Sequence, residues 1–274
     1  MDMTRQIFLS WLTTAPLPPR SMIGLAKECG YAGVSLRALP AAAGDSIPQL
    51  LQDRALRQSV KYRALADEII LADMEIIRIN EGFAVQSVEP FLDLCAELSV
   101  STFLVAGDDP DLSRLTASFN ALCEASRAKG ICPALEFMPW TSVKDVKTAL
   151  SIIENSGSEN GKIIVDALHV ARSSTTLDDL RAIPRERLAC FQICDALAAI
   201  PQTQEGLIYT ARQARLLPGQ GGIDLHAILE ALPPDIPVSV EIPNKEGHDA
   251  QGAAGWAKNA LIATISFLNE ELVK

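Results

Sequence analysis

Basic residues are scarce in this 274-residue chain: 24 Lys and Arg stand against 34 Asp and Glu, a formal net charge of −10. A nucleic-acid backbone demands a concentrated basic face, so this balance argues against a polynucleotide partner. Aromatic residues are only 5% of the chain, too few for a base-stacking surface. Histidine is rarer still, with His169, His226 and His248 the whole supply, which argues against a zinc cluster rich in imidazole. The six cysteines form no CxxC pair, and Cys190 and Cys194, the closest two, flank an expected strand. They read as reduced, mostly buried thiols of a cytosolic protein. No apolar run approaches the length needed to span a bilayer. The start does not read as a signal peptide, because its apolar stretch is short and broken by Pro16, Pro18 and Pro19. Gly219-Gln220-Gly221-Gly222 lacks the strand–turn–helix spacing of a dinucleotide fingerprint, and no Walker lysine is present. Neither an internal repeat nor a low-complexity segment occurs. The expectation is a cytoplasmic protein without nucleic-acid or membrane partners. A small anionic substrate stays compatible, since one local arginine and a metal can override a global field.

Apolar residues, in contrast, make up 48% of the chain, enough for a large core. They are arranged as short strands and helices in alternation. Strands are expected over 6–11, 33–36, 74–79 and 101–106, then in four runs that each end in an oxygen ligand. Those runs are Pro133-Ala134-Leu135-Glu136, Ile163-Ile164-Val165-Asp166, Ala189-Cys190-Phe191-Gln192 and Val238-Ser239-Val240-Glu241. Continuous β-branched and apolar residues mark a parallel strand buried on both faces. Helices are expected over 19–30, 62–72, 88–98, 112–128, 143–154, 177–181, 223–232 and 255–272, the first closing at Gly30, where glycine suits a C-terminal cap. A proline- and alanine-rich loop fills 40–48, and the longest polar loop runs from Leu197 to Gly222. Eight strands and eight helices without a composition break predict one (β/α)₈ barrel over residues 1–274.

The residues that end the four runs are separated by 30, 26 and 49 positions, each gap long enough for a helix and its loops. Four strand ends then converge on the rim where such barrels build active sites, and the 197–222 loop lies on the same face. Taken singly, Glu136 reads as a charge at a helix N-terminus and Asp166 as a cap residue. Taken together, three carboxylates at one rim repel unless a cation or proton is shared. Glu136, Asp166, Gln192 and Glu241 are hard oxygen ligands, suited to Mg²⁺ or Mn²⁺. His169, three residues after Asp166, could turn over the rim to meet a substrate oxygen, with a core histidine as the alternative. Arg215 could be a fixed donor to substrate or a surface charge. Trp11 and Trp140, like Arg37, Asn80, Glu81 and Asp108, follow other strands and either shape the pocket or lie at its wall or surface. His226 in a helix and His248 in a glycine-rich loop are expected to be solvated.

Leu135-Glu136-Phe137-Met138-Pro139, Val165-Asp166-Ala167-Leu168-His169, Phe191-Gln192-Ile193-Cys194-Asp195, Arg215-Leu216-Leu217-Pro218-Gly219-Gln220-Gly221 and Glu241 resemble the xylose-isomerase-like TIM barrels. These form the sugar phosphate isomerase/epimerase superfamily, with inosose dehydratases and 3-dehydroshikimate dehydratases among its members. The resemblance covers most of the chain, from the first strand to Glu241. It implies metal ligands at Glu136, Asp166, Gln192 and Glu241, an Asp-x-x-His pair at Asp166 and His169, and a family arginine at Arg215. Ketose epimerases usually carry His where this chain has Gln192, whereas dehydratase-like members often carry Gln. The epimerases' second carboxylate is replaced by Ser142, and the histidine of some dehydratases by Met138.

The chemistry implied is proton abstraction α to a carbonyl, giving a metal-bound enediolate. Glu136, Glu241 and His169 would be catalytic, and Arg215, His169, Trp11 and Trp140 would bind substrate. The ion is expected to be one Mn²⁺ or Mg²⁺, with Zn²⁺ or Co²⁺ as alternatives. The expected activity is that of an isomerase or epimerase on a sugar or related polyhydroxy ketone; the alternative is a dehydratase of a cyclic keto-polyol. A non-catalytic binding barrel, and a repair nuclease of the endonuclease IV type, are the readings from other classes. A homodimer or homotetramer is left open.

Overall fold

The computed structural model describes residues 5–41, 44 and 47–271, excluding the side chains of 270 and 271. Its centre is a closed barrel of eight parallel strands in chain order: β1 (Ile7–Leu9), β2 (Gly33–Arg37), β3 (Ile70–Ile79), β4 (Thr102–Gly107), β5 (Cys132–Glu136), β6 (Lys162–Asp166), β7 (Leu188–Ile193) and β8 (Val238–Val240). The ring closes where β1 pairs with β8, Phe8 opposite Ser239. Around it lie α1 (Trp11–Thr14), α2 (Pro19–Cys29), α3 (Arg54–Asp67), α4 (Glu89–Glu97), α5 (Leu112–Arg127), α6 (Val146–Ser156), α7 (Ala167–Ala171), α8 (Leu177–Arg181), α9 (Gln204–Gln213), α10 (Leu225–Glu230) and α11 (Lys245–Glu271).

Strand periodicity divides the barrel's residues into two sets. Val34, Leu36, Phe103, Val105, Leu135, Val165, Phe191 and Val240 join the large core between strands and helices. Leu104, Ala134 and Ile164 alternate with them and form a separate small cluster with Ile76 and Met138. That inner plug sits beneath the polar residues at the strand ends. Part of the acidic excess serves the helices: Asp53, Asp111, Asp145 and Asp224 each accept backbone N–H groups at a helix N-terminus. At the other end of α2, Gly30 adopts φ 98°, a left-handed cap that glycine takes without strain.

Several expectations need correction. The helix expected over 62–72 is α3, Arg54–Asp67, because Asp53 caps it earlier and Glu68 ends it in the left-handed region; Ile70 already belongs to β3. The first strand stops at Leu9, and Trp11 opens α1. The segment from Leu197 to Gly222 is no plain loop: Thr203 caps α9 within it. The span Lys245–Glu271 is two helices joined at Gly252, where φ is 68° and ψ 168°, so the final helix opens just after Gly252, close to the expected Gly255, and an unexpected short helix from Lys245 precedes it; the expected end at Leu272, like Met1-Asp2-Met3-Thr4 at the other terminus, lies outside the described residues. His226 is half-buried against the Phe267 ring at 4.3 Å, and His248 is half-buried with Nε2 2.5 Å from the Thr13 carbonyl oxygen. Neither is the solvated residue expected. All six cysteines are free thiols, three buried and three half-buried. Among the described residues, no helix is long and apolar enough to cross a membrane.

Gly33 is where β2 comes closest to its neighbours: a Cβ there would run into the Ile70 carbonyl oxygen and the Phe8 ring. Gly33→Ala should therefore destabilise the barrel by about 1–3 kcal/mol, the usual range for overpacking. Urea unfolding followed by circular dichroism should show the lower midpoint; an unchanged midpoint would refute the close approach.

Candidate active site and metal centre

Glu136 and Asp166 are the last residues of β5 and β6, Gln192 lies opposite Asp166 in the β6–β7 register, and Glu241 follows the end of β8. All four are buried. Ligand atoms of Glu136, Asp166 and His169 lie within 4.8 Å of one another. Gln192 Oε1 is buried with no hydrogen-bond partner. An orphaned acceptor at the edge of a carboxylate cluster is costly unless something binds it.

Asp166 plays two parts. Its Oδ1 accepts the backbone N–H groups of Leu168 and His169 at 2.7 and 3.1 Å, capping α7, while Oδ2 meets Arg215 Nη1 at 2.5 Å. The cap reading therefore holds for Asp166, while its second oxygen faces Arg215 within the buried cluster. Glu136 heads no helix, so its bland alternative fails. Arg215 is 2% exposed, which removes the surface-charge alternative. Its Nη2 lies 3.2 Å from Glu241 Oε2, and its Nε donates to the Ala211 carbonyl in α9 at 2.9 Å. Paired backbone hydrogen bonds between Asp195 and Leu216 stitch this segment to the end of β7, and Arg215 N–H donates to Pro243 beyond β8. The Asp195 carboxylate gathers the backbone N–H groups of Gly219, Gly221 and Ile223. The glycine cluster is therefore a wrap around Asp195; a Cβ at Gly221 would collide with that carboxylate.

Glu241 is held from several sides. Ser10 Oγ donates to its Oε1 at 3.1 Å. Thr13 Oγ1 donates to the Val240 carbonyl and accepts from Ile242 N–H, bracketing Glu241 along the backbone. His169 is buried, its Nε2 3.6 Å from Glu136 Oε1 and its ring edge-on to Trp140 at 5.0 Å. Trp11 is buried beneath the Arg37 guanidinium, which lies 4.4 Å from its ring centroid. Arg37 is fixed in turn by Glu75, whose other oxygen accepts from Ser35 Oγ at 3.0 Å. Trp11 N–H donates to the same Ser35 Oγ and closes the ring of contacts.

Glu75, Ser10 and Ser35 were not among the expected site residues. The signal for Glu75 was a carboxylate inside the apolar run Met74-Glu75-Ile76-Ile77. There the β3–β4 register skips, and Glu75 and Ile76 both line the pocket. Asn80 and Glu81 are exposed, and Asp108 is half-buried in a fork with Arg78.

Four buried carboxylates (Glu75, Glu136, Asp166 and Glu241) face two buried guanidinium groups, Arg37 and Arg215. Two negative charges are left over, the count that one divalent cation would balance. Without one, protonation must relieve the strain. Burial, then the charges of Glu241 and Asp166, hold the Glu136 carboxyl well above its usual range. Burial likewise raises Glu241 from 4.5 to about 8, against the opposing pull of Arg215. Half-buried Asp73, lower in the barrel, is raised by burial and by Glu75 and Glu241. For Asp166 burial works against ionisation, but Arg215 and His169 outweigh it and the carboxyl falls below the ordinary value. Burial lowers His169 from 6.5 to about 4, so the imidazole is neutral at physiological pH. The charge count fits a divalent ion, and the ligand atoms that converge closely enough to hold one belong to Glu136, Asp166 and His169; Glu241 is not in that group.

These shifts set the pH dependence of metal-free protein. His169, lowered on folding, adds stability as pH rises from about 4 to 6.5, whereas Glu136 and Glu241, raised on folding, remove stability above 4.5. Above pH 6.5 the glutamates titrate without that offset. Between pH 6.5 and 8 the chelator-treated protein should lose stability at about 2 kcal/mol per pH unit, roughly 1.4 for each glutamate that stays protonated in the folded state, and Mn²⁺ should restore it. Calorimetric melting with EDTA and with Mn²⁺ measures both; a pH-independent melt in EDTA would show that the carboxylates are not in conflict.

Residues 23–262 match the family described as Xylose isomerase-like TIM barrel. Inosose isomerase of Bacillus velezensis is 23% identical over 226 residues, 76% of this chain and 76% of that protein. Among solved structures, the IolI protein with a bound zinc atom superposes with a TM-score of 0.80 at 18% identity, over 97% of this chain and 99% of that one. D-psicose 3-epimerase of Clostridium cellulolyticum H10, solved with D-tagatose, gives 0.75 at 14% identity, over 96% and 99%. The chain also superposes (TM-score 0.74, 19% identity, 91% of its length) on a xylose isomerase-like TIM barrel/4-hydroxyphenylpyruvate dioxygenase fusion protein, of which it spans 41%. Matched across most of its length, the chain belongs to the xylose isomerase-like TIM barrel family.

Proposed function

We propose that this protein is a divalent-metal-dependent isomerase or epimerase that moves a proton α to the carbonyl of a sugar or related polyhydroxy ketone. The observation that carries the reading is the convergence of Glu136 and Glu241 on one buried site that is two negative charges in excess. The names of the relatives, an inosose isomerase and a psicose 3-epimerase, point the same way. Glu136, Asp166, Gln192 and Glu241 would hold the ion, Mn²⁺ or Mg²⁺ by the hardness of the donors. When bound, it would supply Lewis-acid polarisation of the substrate carbonyl.

The remaining work falls to the side chains. Glu136 and Glu241 approach from two strand ends, so one can accept the α-proton as the other returns it. Return to the opposite face epimerises the carbon, and return to the neighbouring carbon isomerises the aldose–ketose pair. Ser10 and Arg215 orient the two oxygens of Glu241, keeping its proton-accepting geometry fixed. His169, neutral and buried against Trp140, can donate one hydrogen bond to a substrate oxygen without a second positive charge. Trp140 and Met138 line the pocket and help exclude water. Loss of a β-hydroxyl from the same enediolate would make the enzyme a dehydratase, a reading favoured by Gln192 at the third ligand position.

Incubation in D₂O with a panel of keto-sugars, inososes and 3-dehydroshikimate should place deuterium at the carbon α to the carbonyl of the substrate. Glu241→Gln, with metal occupancy checked in the same sample, should cut exchange by a factor of about 10² or more. Undiminished exchange in the metal-loaded variant would remove Glu241 as the base, and a product without solvent deuterium would point to a hydride shift or a shielded base. His169→Ala should lower turnover about 10²-fold with nearly unchanged metal content; metal loss in that variant would make His169 a ligand instead.

A further inference from the structure

Glu241 stands just past the end of β8, where the barrel's own ladder gives out. β1 pairs with β8 only as far as Leu9 opposite Val240, and the chain then turns into α1. Thr13, on α1, takes over from the missing strand. Its Oγ1 donates to the Val240 carbonyl at 2.7 Å and accepts the Ile242 N–H at 2.8 Å. One hydroxyl thus stands in for two ladder groups, a task that requires a side chain able both to donate and to accept.

The two peptide units flanking the Glu241 Cα are each held at both ends. In the first, the Val240 carbonyl is held by Thr13 and by Ser10 N–H at 3.1 Å, and Glu241 N–H donates to the Ile193 carbonyl at 3.2 Å. In the second, the Glu241 carbonyl accepts from Arg215 Nη1 at 3.2 Å, and Ile242 N–H ends on Thr13. Peptide units are rigid planes, so fixing both fixes φ and ψ at Glu241, and with them the direction in which its side chain leaves the backbone. Thr13 touches both planes.

Thr13 is itself anchored. Its N–H donates to the Ser10 carbonyl at 3.1 Å, and its carbonyl lies 2.5 Å from His248 Nε2, so that nitrogen carries the hydrogen. The residue is fully buried and does not line the pocket. Three positions earlier, Ser10 Oγ donates to the Glu241 carboxylate. The start of α1 therefore acts on Glu241 at two levels, Ser10 on the carboxylate and Thr13 on the backbone that carries it.

We propose that Thr13 is a positioning residue for Glu241, setting through two backbone hydrogen bonds the line along which the carboxylate meets the substrate's α-carbon. The proposal rests on the reading of Glu241 as a base, but one arm of its test does not. A base displaced by about 1 Å loses on the order of 10² in rate.

Thr13→Val keeps the side chain's shape and removes the hydroxyl, whereas Thr13→Ser keeps the hydroxyl. Both are assayed by solvent deuterium exchange on whichever compound of the ketone panel the wild-type protein turns over. Thr13→Val should lower kcat about 10²-fold and leave KM within about twofold, because Thr13 touches no substrate. Thr13→Ser should return kcat to within about threefold of wild type. Thr13→Val also leaves two buried backbone groups unpaired, so it should melt lower. Gly33→Ala, destabilised at the other end of the barrel, should melt lower with kcat unchanged, which separates alignment from stability. Should Thr13→Val fail to fold, Thr13→Cys should lose kcat in the same direction, since a thiol is a weak donor and a weak acceptor. In crystals of Thr13→Val the Glu241 carboxylate should lose its contact with Ser10 Oγ or Arg215 Nη2, and in Thr13→Ser both should persist. Wild-type kcat in Thr13→Val, a loss of kcat with Glu241 unmoved, or a loss that Thr13→Ser does not recover overturns the proposal. Movement of Glu241 in Thr13→Val alone, with no panel compound exchanging even in wild-type protein, would uphold the positioning and sink the proposed reaction on these ketones.

Discussion

Charge balance among buried side chains is the constraint around which this barrel is arranged. Four carboxylates are drawn into the mouth, and Arg215 alone touches two of them, Asp166 and Glu241. A buried guanidinium is tolerable only with its donors occupied, and Arg215 also bonds the carbonyls of Ala211 and Glu241 and the Cys194 sulfur. Those partners come from α9, β7 and β8. The antiparallel stitch between Asp195 and Leu216 and the glycine wrap around Asp195 both hold the segment that carries the arginine. What looks like loop decoration is scaffolding for one positive charge.

The two sides of the mouth solve the same problem differently. On the β5–β8 side the carboxylates outnumber their cation, which leaves orphaned Gln192 Oε1 and raised carboxyls, the features of a site incomplete without a ligand. On the β1–β3 side Arg37 and Glu75 neutralise each other, and Ser35 and Trp11 complete their contacts. One side is poised, the other closed. That asymmetry separates where chemistry would occur from where a substrate would be oriented.

Much of this was legible in the chain because parallel strands buried on both faces have a plain signature. The runs ending at Glu136, Asp166 and Gln192 stand out as apolar stretches stopped by one polar group, and their in-phase spacing predicted the convergence. The failures have equally physical causes. The register of α3 was lost because its signal is a single cap, Asp53, rather than an apolar stripe; Val60 and Ala64 are its buried residues. Helix α9 was hidden in a polar segment that buries little more than Ala211. Glu75 escaped notice because it sits within a strand, at a register skip, not at a strand end. No local pattern announces an ion pair such as Arg37–Glu75, whose partners lie 38 positions apart and meet through sheet register.

The hydrogen bond from Arg215 Nε to the Ala211 carbonyl ties an electrostatic element to a mechanical one. Ala211 and Arg212 lie on the wall of the pocket, so α9 borders the path by which a ligand enters. Displacing this stretch of α9 would take one acceptor away from a buried guanidinium that needs all its donors occupied, so the position of the entrance wall and the satisfaction of Arg215 are linked.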